Sequence, residues 1–253
     1  MKKLITILFV LIFIAGIIFC QAQTDSVKTK KDLKNTVFYN LTNTLIFGGK
    51  SQVLAYERVL TKQSSVCIEV GSFSFPGVQI LSGKYRTNEG ETQSGYKFAA
   101  DYRYYPSNEN KYPAPRGVFV GPYISYNHFN REKSFTIDTT STGLVNVTVN
   151  TDFTFQTYTG GLQLGYQFVF WRRLAIDLIL IGPGITGYKV SAKLDTSLDP
   201  DEESELFTAL NEKLAEKIPG YSFVIKPADF EKSGSSNTTS IGFRYLVHVG
   251  FRF

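Results

Sequence analysis

The amino-acid sequence predicts an all-β fold, an eight-stranded antiparallel up-and-down barrel, on three observations. Apolar and polar residues alternate with a period of two over most of the chain after residue 34. The alternating segments are about 10 to 15 residues long, whereas strands of soluble sandwiches have about 5 to 6 residues. The connections between segments alternate between short and long, as expected for hairpins in a ring whose two ends differ.

Residues 1–22 are typical of an export signal. Residues 4–19 are apolar or small, and Cys20 and Ala22 supply small residues at the −3 and −1 positions for cleavage. Cleavage after Ala22 removes the two lysines of the signal and lowers the formal charge from +5 to +3. A lipoprotein acylated at Cys20 is one alternative, which Phe19 disfavours because the motif needs a small residue there. A retained anchor is another, but 16 residues are short for a span.

The mature chain is predicted to have a flexible polar lead-in over residues 23–34 and a barrel over residues 35–253. Without Cys20, Cys67 is the single cysteine, so no intramolecular disulfide can form. Lys and Arg are scattered through tyrosine-rich segments rather than gathered in one block, so we expect no nucleic-acid partner.

Eight segments carry the strand pattern, and the last is the clearest. Apolar or aromatic residues occupy every odd position from Ile241 to Phe253, and glycine, arginine and histidine occupy all but one of the even positions. The segments are residues 36–47, 51–60, 65–74, 95–105, 117–129, 153–168, 173–187 and 240–253. The polar faces are rich in Gly, Ala, Ser and Thr, which suits the crowded interior of a narrow barrel.

Strand length and loop pattern favour a membrane barrel, in which the aromatic faces contact lipid. A strand needs about 9 to 11 residues to cross a bilayer. The connections are short at 61–64 and 169–172, moderate and proline-rich at 106–116, and long at 75–94, 130–152 and 188–239. Gly48-Gly49-Lys50 is predicted to be a plain hairpin turn. The main alternative is a soluble lipocalin-like barrel with aromatic faces inward around a ligand.

Five segments carry a resemblance to a known class of proteins: YERVL at 56–60, YRYYP at 102–106, VFVGPY at 118–123, GGLQLGY at 160–166 and VGFRF at 249–253. They resemble the small eight-stranded outer-membrane barrels of Gram-negative bacteria, of the OmpA-transmembrane and OmpX type, and more closely outer-membrane barrel families of unknown function. The resemblance implies a monomer in the outer membrane, with outer-membrane lipid as a partner. Phe251 and Phe253 resemble the signal read by the barrel-assembly machinery, which makes that machinery a second expected partner. We expect no cell-wall-binding domain after the barrel.

The alternation also predicts a polar network inside the barrel. Its members are Glu57, Glu69, Lys97, Asp101, Arg103, Asp177, Arg244, His248 and Arg252. Four carboxylates face four Lys and Arg side chains, and in a lumen that side chains fill such charges pair rather than line an open channel. The network therefore predicts a closed interior, with a gated or proton-linked pathway for a small solute as the alternative.

One helix is predicted, near residues 201–218 in the last outer loop. Asp199, Pro200 and Glu202 are typical of a helix start, and apolar residues follow at four-residue spacing from Leu206 to Ile218. We expect this amphipathic helix and the other long loops to lie outside the cell, where they could contact an extracellular partner.

The sequence predicts no catalytic residue, metal or cofactor. With two histidines and one mature cysteine, a site with several histidine ligands is excluded. A surface hydrolase of lipid or peptide would pair His128 with Ser125, with Glu132 or Asp138 as orienting residue. Side chains three residues apart on a strand point to opposite faces, so Ser125 and His128 cannot pair directly. We therefore expect a non-enzymatic outer-membrane barrel, with a restricted channel or a surface hydrolase as alternatives.

Overall fold

The computed structural model describes residues 33–74, 85–137, 147–195, 208 and 235–253. The predicted signal peptide and most of the lead-in lie outside these residues. So does the predicted helix near 201–218, apart from Thr208, which is helical.

Eight antiparallel strands form a closed barrel, as the sequence predicts. Each strand pairs with its neighbour in the sequence, and β8 pairs with β1 to close the ring. The strands are β1 (Asn35–Asn40), β2 (Val53–Thr61), β3 (Ser64–Ser72), β4 (Tyr85–Tyr104), β5 (Gly117–Ile137), β6 (Val147–Phe170), β7 (Leu174–Asp195) and β8 (Ser235–Arg252). One end of the barrel, which we call the turn end, carries the β2–β3, β4–β5 and β6–β7 connections together with the start of β1 and the end of β8. We call the opposite end, which carries the remaining connections, the loop end.

The prediction of one strand over 36–47 followed by a plain hairpin turn is wrong. The first strand ends at Asn40, and Leu41–Phe47 form a helix, α1. The Asn40 side chain caps α1, because its Oδ1 accepts a hydrogen bond from the Asn43 backbone N–H at 3.0 Å. Thr42 Oγ1 accepts a hydrogen bond from the Val247 backbone N–H at 2.8 Å, so β8 finds a partner on α1 where β1 has ended. In the part of the chain that is described, no helix is both long and apolar enough to cross a membrane.

The strands differ in length far more than the sequence predicts. The first three have 6 to 9 residues, whereas β4 to β8 have 18 to 24 and continue past the predicted boundaries at the loop end. In β5 and β6, for example, pairing runs to Ile137 opposite Val147. The backbone hydrogen bonds between strands do not require an apolar face. Strand pairing therefore continues beyond the residues that show the apolar alternation.

The barrel presents its apolar faces outward and its charged faces inward. Each strand exposes at least one large apolar side chain: Val37, Leu54, Ile68, Phe98, Ile124, Leu162, Ile181 and Phe243 are 41 to 64% exposed. On β8, Ile241 and Phe243 are exposed while Arg244 and His248, at even positions, are buried. A lipocalin-like barrel would have the reverse arrangement, so that alternative is wrong for this chain.

Candidate functional site

The barrel interior gathers eight of the nine residues predicted for the polar network. They come from β2, β3, β4, β7 and β8, and their alternation directs each side chain into the lumen. The eight are Glu57, Glu69, Lys97, Asp101, Arg103, Asp177, Arg244 and His248, and all are at most 8% exposed. Buried charges need compensating partners, and the bonds of this network supply them.

Arg103 is the centre of the network toward the turn end. Its Nε lies 2.6 Å from Asp101 Oδ1, its Nη2 lies 3.1 Å from Asp177 Oδ2, and its Nη1 lies 3.5 Å from Glu57 Oε1. The guanidinium carbon also lies 4.6 Å from the centre of the Phe119 ring. One fully buried cation therefore joins carboxylates of β2, β4 and β7 across the lumen.

Arg244 is a second centre, nearer the loop end. Its guanidinium pairs with Glu69 through Nη2, and its Nη1 lies 3.4 Å from Asp101 Oδ2. Lys97 Nζ is 3.5 Å from the other oxygen of Glu69 and donates a hydrogen bond to Asn43 Oδ1 at 3.1 Å. Asp101 binds both arginines, so the two centres form one connected network.

His248 bridges the two centres from β8. Its Nδ1 lies 2.8 Å from Asp177 Oδ2, and its Nε2 lies 3.9 Å from Glu69 Oε1. The ring is fully buried and lies 5.8 Å from the Phe38 ring, centre to centre. His248 is thus a buried, hydrogen-bonded interior residue, as its inward position on β8 suggests.

The ninth predicted member, Arg252, lies apart from these contacts. Its side chain is partly buried, and its Nη2 donates a hydrogen bond to the Leu33 carbonyl at 2.7 Å at the turn end. The eight gathered residues therefore comprise four carboxylates, three Lys and Arg side chains and one imidazole. The predicted pairing of four carboxylates with four Lys and Arg side chains is therefore not what the structure shows. His248 lies between Asp177 and Glu69, whereas Arg252 lies outside the network.

Neutral side chains complete the network, and the sequence reasoning missed them as members. Glu57 accepts hydrogen bonds from Ser65 Oγ at 2.6 Å, Gln167 Nε2 at 2.9 Å and the Tyr105 hydroxyl at 3.1 Å. Gln163 Oε1 accepts one from Arg244 at 2.9 Å. The two glutamines stand on the polar face of a predicted strand, so alternation could have found them. Tyr105 shares the inward parity of Asp101 and Arg103 at the end of the predicted segment 95–105, but an aromatic residue there gives no sign of a place in a charged network.

Aromatic rings pack around the network where strands carry glycine. A Cβ on Gly165 would overlap the Phe119 ring, and one on Gly250 would overlap the Phe38 ring. Both rings are fully buried. Phe119 packs with Tyr105 in one apolar cluster and Phe38 with Cys67 in another. Side chains thus fill the lumen around the charges, as expected for a barrel of this size.

The structure places Ser125 and His128, the pair considered for catalysis, on opposite faces of β5. His128 lies on the outer face with its ring 5.0 Å from the Tyr96 ring, centre to centre. Ser125, three residues away on β5, is on the opposite face. Glu132 is exposed, and Asp138 lies outside the described residues. No group of three or more His, Cys, Asp or Glu side chains suited to a metal ion is found in the residues that the structure describes.

Comparison with known proteins finds one similar solved structure and no matching family. No family model matches it, and no curated protein matches it. Among solved structures it is similar to a major outer membrane protein from Thermus thermophilus, at 12% sequence identity and a TM-score of 0.37, over 88% of this chain and 100% of that one.

Proposed function

We propose that this chain is a non-enzymatic, monomeric outer-membrane β-barrel that has a closed polar interior and a structural or surface-interaction role. The observation that carries the proposal is the outward apolar face on all eight strands. On β8 the odd positions from Ile241 to Phe251 span 11 residues, matching the about 9 to 11 residues of a membrane-crossing strand. Burial of such a face in lipid satisfies it without a protein partner.

The ion-pair network supports a closed interior rather than a solute channel. Arg103, Arg244 and His248 join carboxylates of different strands by contacts of 3.9 Å or less. An ion or polar solute would have to break these buried contacts, and a buried charge that loses its partner is strongly destabilising. A role in maintaining the envelope or presenting loops fits a filled lumen better than transport does.

The extended strands support a surface role. At the loop end β4 to β8 continue beyond the apolar belt, the band of outward apolar side chains on the eight strands, and the connection between β7 and β8, residues 196–234, is the longest in the chain. A rigid sheet that raises long loops above the membrane is suited to contact with an extracellular partner.

Cell fractionation with heat-modifiable gel migration tests the proposal. The full chain is expressed in a Gram-negative host, and purified outer membranes are compared on a detergent gel with and without boiling. We expect the protein in the outer-membrane fraction and a mobility shift on boiling, because a closed barrel resists detergent until it is heated. Recovery in the soluble periplasmic fraction, with no shift, contradicts the proposal.

A further inference from the structure

Eight Lys and Arg residues form a ring at the turn end of the barrel. The strand connections and termini there each contribute two cations: Lys34 and Arg252, Arg58 and Lys62, Lys111 and Arg116, and Arg172 and Arg173. Glu109 is the single acidic side chain among the described residues of this end. The segments that join strands at the loop end, 41–52, 73–84, 138–146 and 196–234, hold 6 Lys and Arg residues against 10 Asp and Glu residues. The charge is therefore polarised along the barrel, which a sequence scan for basic blocks does not detect.

Three of the ring cations contact neutral partners in the structure. Arg58 donates a hydrogen bond to Asn35 Oδ1 at 3.0 Å and Arg252 to the Leu33 carbonyl, both neutral acceptors. Arg116 stacks on Tyr112, with its guanidinium carbon 3.9 Å from the ring centre. Seven of the eight ring side chains are exposed, and Arg252 is partly buried. These positive charges are thus accessible to an anionic partner.

Aromatic side chains lie in the same zone as the ring. Trp171 is 86% exposed at the β6–β7 turn, directly before Arg172 and Arg173. Arg173 lies 5.4 Å from the Phe251 ring centre, and Phe251 belongs to the outward apolar face. Tryptophan beside arginine at the edge of an apolar belt is typical of the headgroup level of a membrane.

We propose that the ring binds the phosphate headgroups of anionic phospholipids in the leaflet at the turn end. Charge complementarity and continuity with the apolar belt carry this inference, because a lipid occupies both surfaces at once whereas a soluble anion occupies the ring alone. The inference rests on the proposed membrane function. It adds the class of lipid that the protein selects and the end at which selection occurs.

Fluorescence quenching of Trp171 tests the inference, because it is the single tryptophan of the chain and reports only the turn end. The full-length protein is reconstituted in phosphatidylcholine vesicles that contain, at equal mole fraction, phosphatidylglycerol or phosphatidylcholine with bromine on the acyl chains near the headgroup. We expect brominated phosphatidylglycerol to quench more strongly, corresponding to a preference of about threefold or more. Raised salt should reduce the preference through screening.

Two triple variants locate the effect. Lys62→Gln/Arg116→Gln/Arg173→Gln removes three exposed cations of the ring, and Lys50→Gln/Lys189→Gln/Lys193→Gln removes three exposed cations at the loop end. The first should lose most of the preference and the second should keep it. If the first variant does not fold, the salt dependence of the unmodified protein tests the inference, because a preference that arises from exposed cations must fall as salt is raised.

The outcomes separate the two proposals. Equal quenching by both brominated lipids overturns the lipid preference and leaves the membrane barrel intact. Quenching by neither lipid overturns the membrane placement itself. A preference for phosphatidylglycerol that survives high salt and both triple variants overturns the assignment to the ring.

Discussion

At the residue scale, Arg103 pairs with three carboxylates, whereas Arg244 pairs with two and Lys97 with one. Arg103 is fully buried and its guanidinium faces three carboxylates, those of Asp101, Asp177 and Glu57. A cation in this position offsets the desolvation of the carboxylates around it, and their full burial keeps bulk solvent from taking its place. The alternation of the sequence identified Arg103 as an inward residue. Its three carboxylate partners could not be predicted, because they depend on the register of β2, β4 and β7.

Arg103→Ala should therefore destabilise the barrel by about 3–5 kcal/mol, the usual cost of leaving buried carboxylates without their cation. The measurement is the urea-unfolding transition of protein refolded in vesicles, followed by the heat-modifiable band. Arg252→Ala is the matched control, because Arg252 bonds a single neutral carbonyl at the rim. Its effect should stay within about 1 kcal/mol. Equal losses for the two variants would contradict a central role for Arg103.

At the scale of elements, α1 acts as the continuation of β1. The six-residue β1 pairs with β8 only as far as Asn40 opposite His248. Beyond that point Thr42 of α1 accepts the hydrogen bond of the next outward residue of β8, Val247. A side-chain hydroxyl thus replaces one backbone carbonyl of the ladder at the seam where the barrel closes.

Thr42→Val should remove this acceptor and leave the shape of the side chain nearly unchanged. Since a hydrogen bond contributes about 1 kcal/mol net, we expect the Val247 amide to exchange with solvent roughly fivefold faster. Hydrogen exchange measured by NMR on detergent-solubilised protein reports this amide directly. Leu45→Ala changes an 81% exposed residue of the same helix and should leave the Val247 amide unaffected. Unchanged exchange in Thr42→Val would show that α1 does not support the seam.

Sequence periodicity predicted elements well where one strand face is apolar and the other polar. This holds for 117–129 and 173–187, whose first residues lie within one residue of the starts of β5 and β7. It failed over 41–47, where Leu, Thr, Ile and Phe favour a strand in isolation, but the Asn40 cap and the contact with β8 select a helix. It also underestimated β4 to β8, because pairing outside the apolar belt leaves no hydrophobic pattern. The charged network followed from alternation, whereas its neutral members needed register and distance.

At the scale of the whole molecule, charge and apolar surface are separated into zones. The interior holds paired charges, the outer wall is apolar, and the turn end carries the cation ring. This separation explains how a chain with a mean hydropathy of −0.08 can present a continuous apolar outer wall. Composition averages over the zones, and only the alternation of residues in each strand reveals them.

The closed interior that we propose predicts that the protein does not conduct. In a planar bilayer, inserted wild-type protein should give no steady current above that of the bare membrane, because an eight-stranded barrel has room for little more than its own side chains. An ion entering past Lys97 would meet Arg244, Asp101 and Arg103 in turn, each held by a partner in the network. The inserted fraction is checked by heat-modifiable migration of the same preparation, so that failed insertion cannot be mistaken for an absence of current through inserted protein. Steady, ohmic current from inserted protein would contradict the closed interior and favour a restricted solute channel, since a continuous water path must then pass the ion pairs.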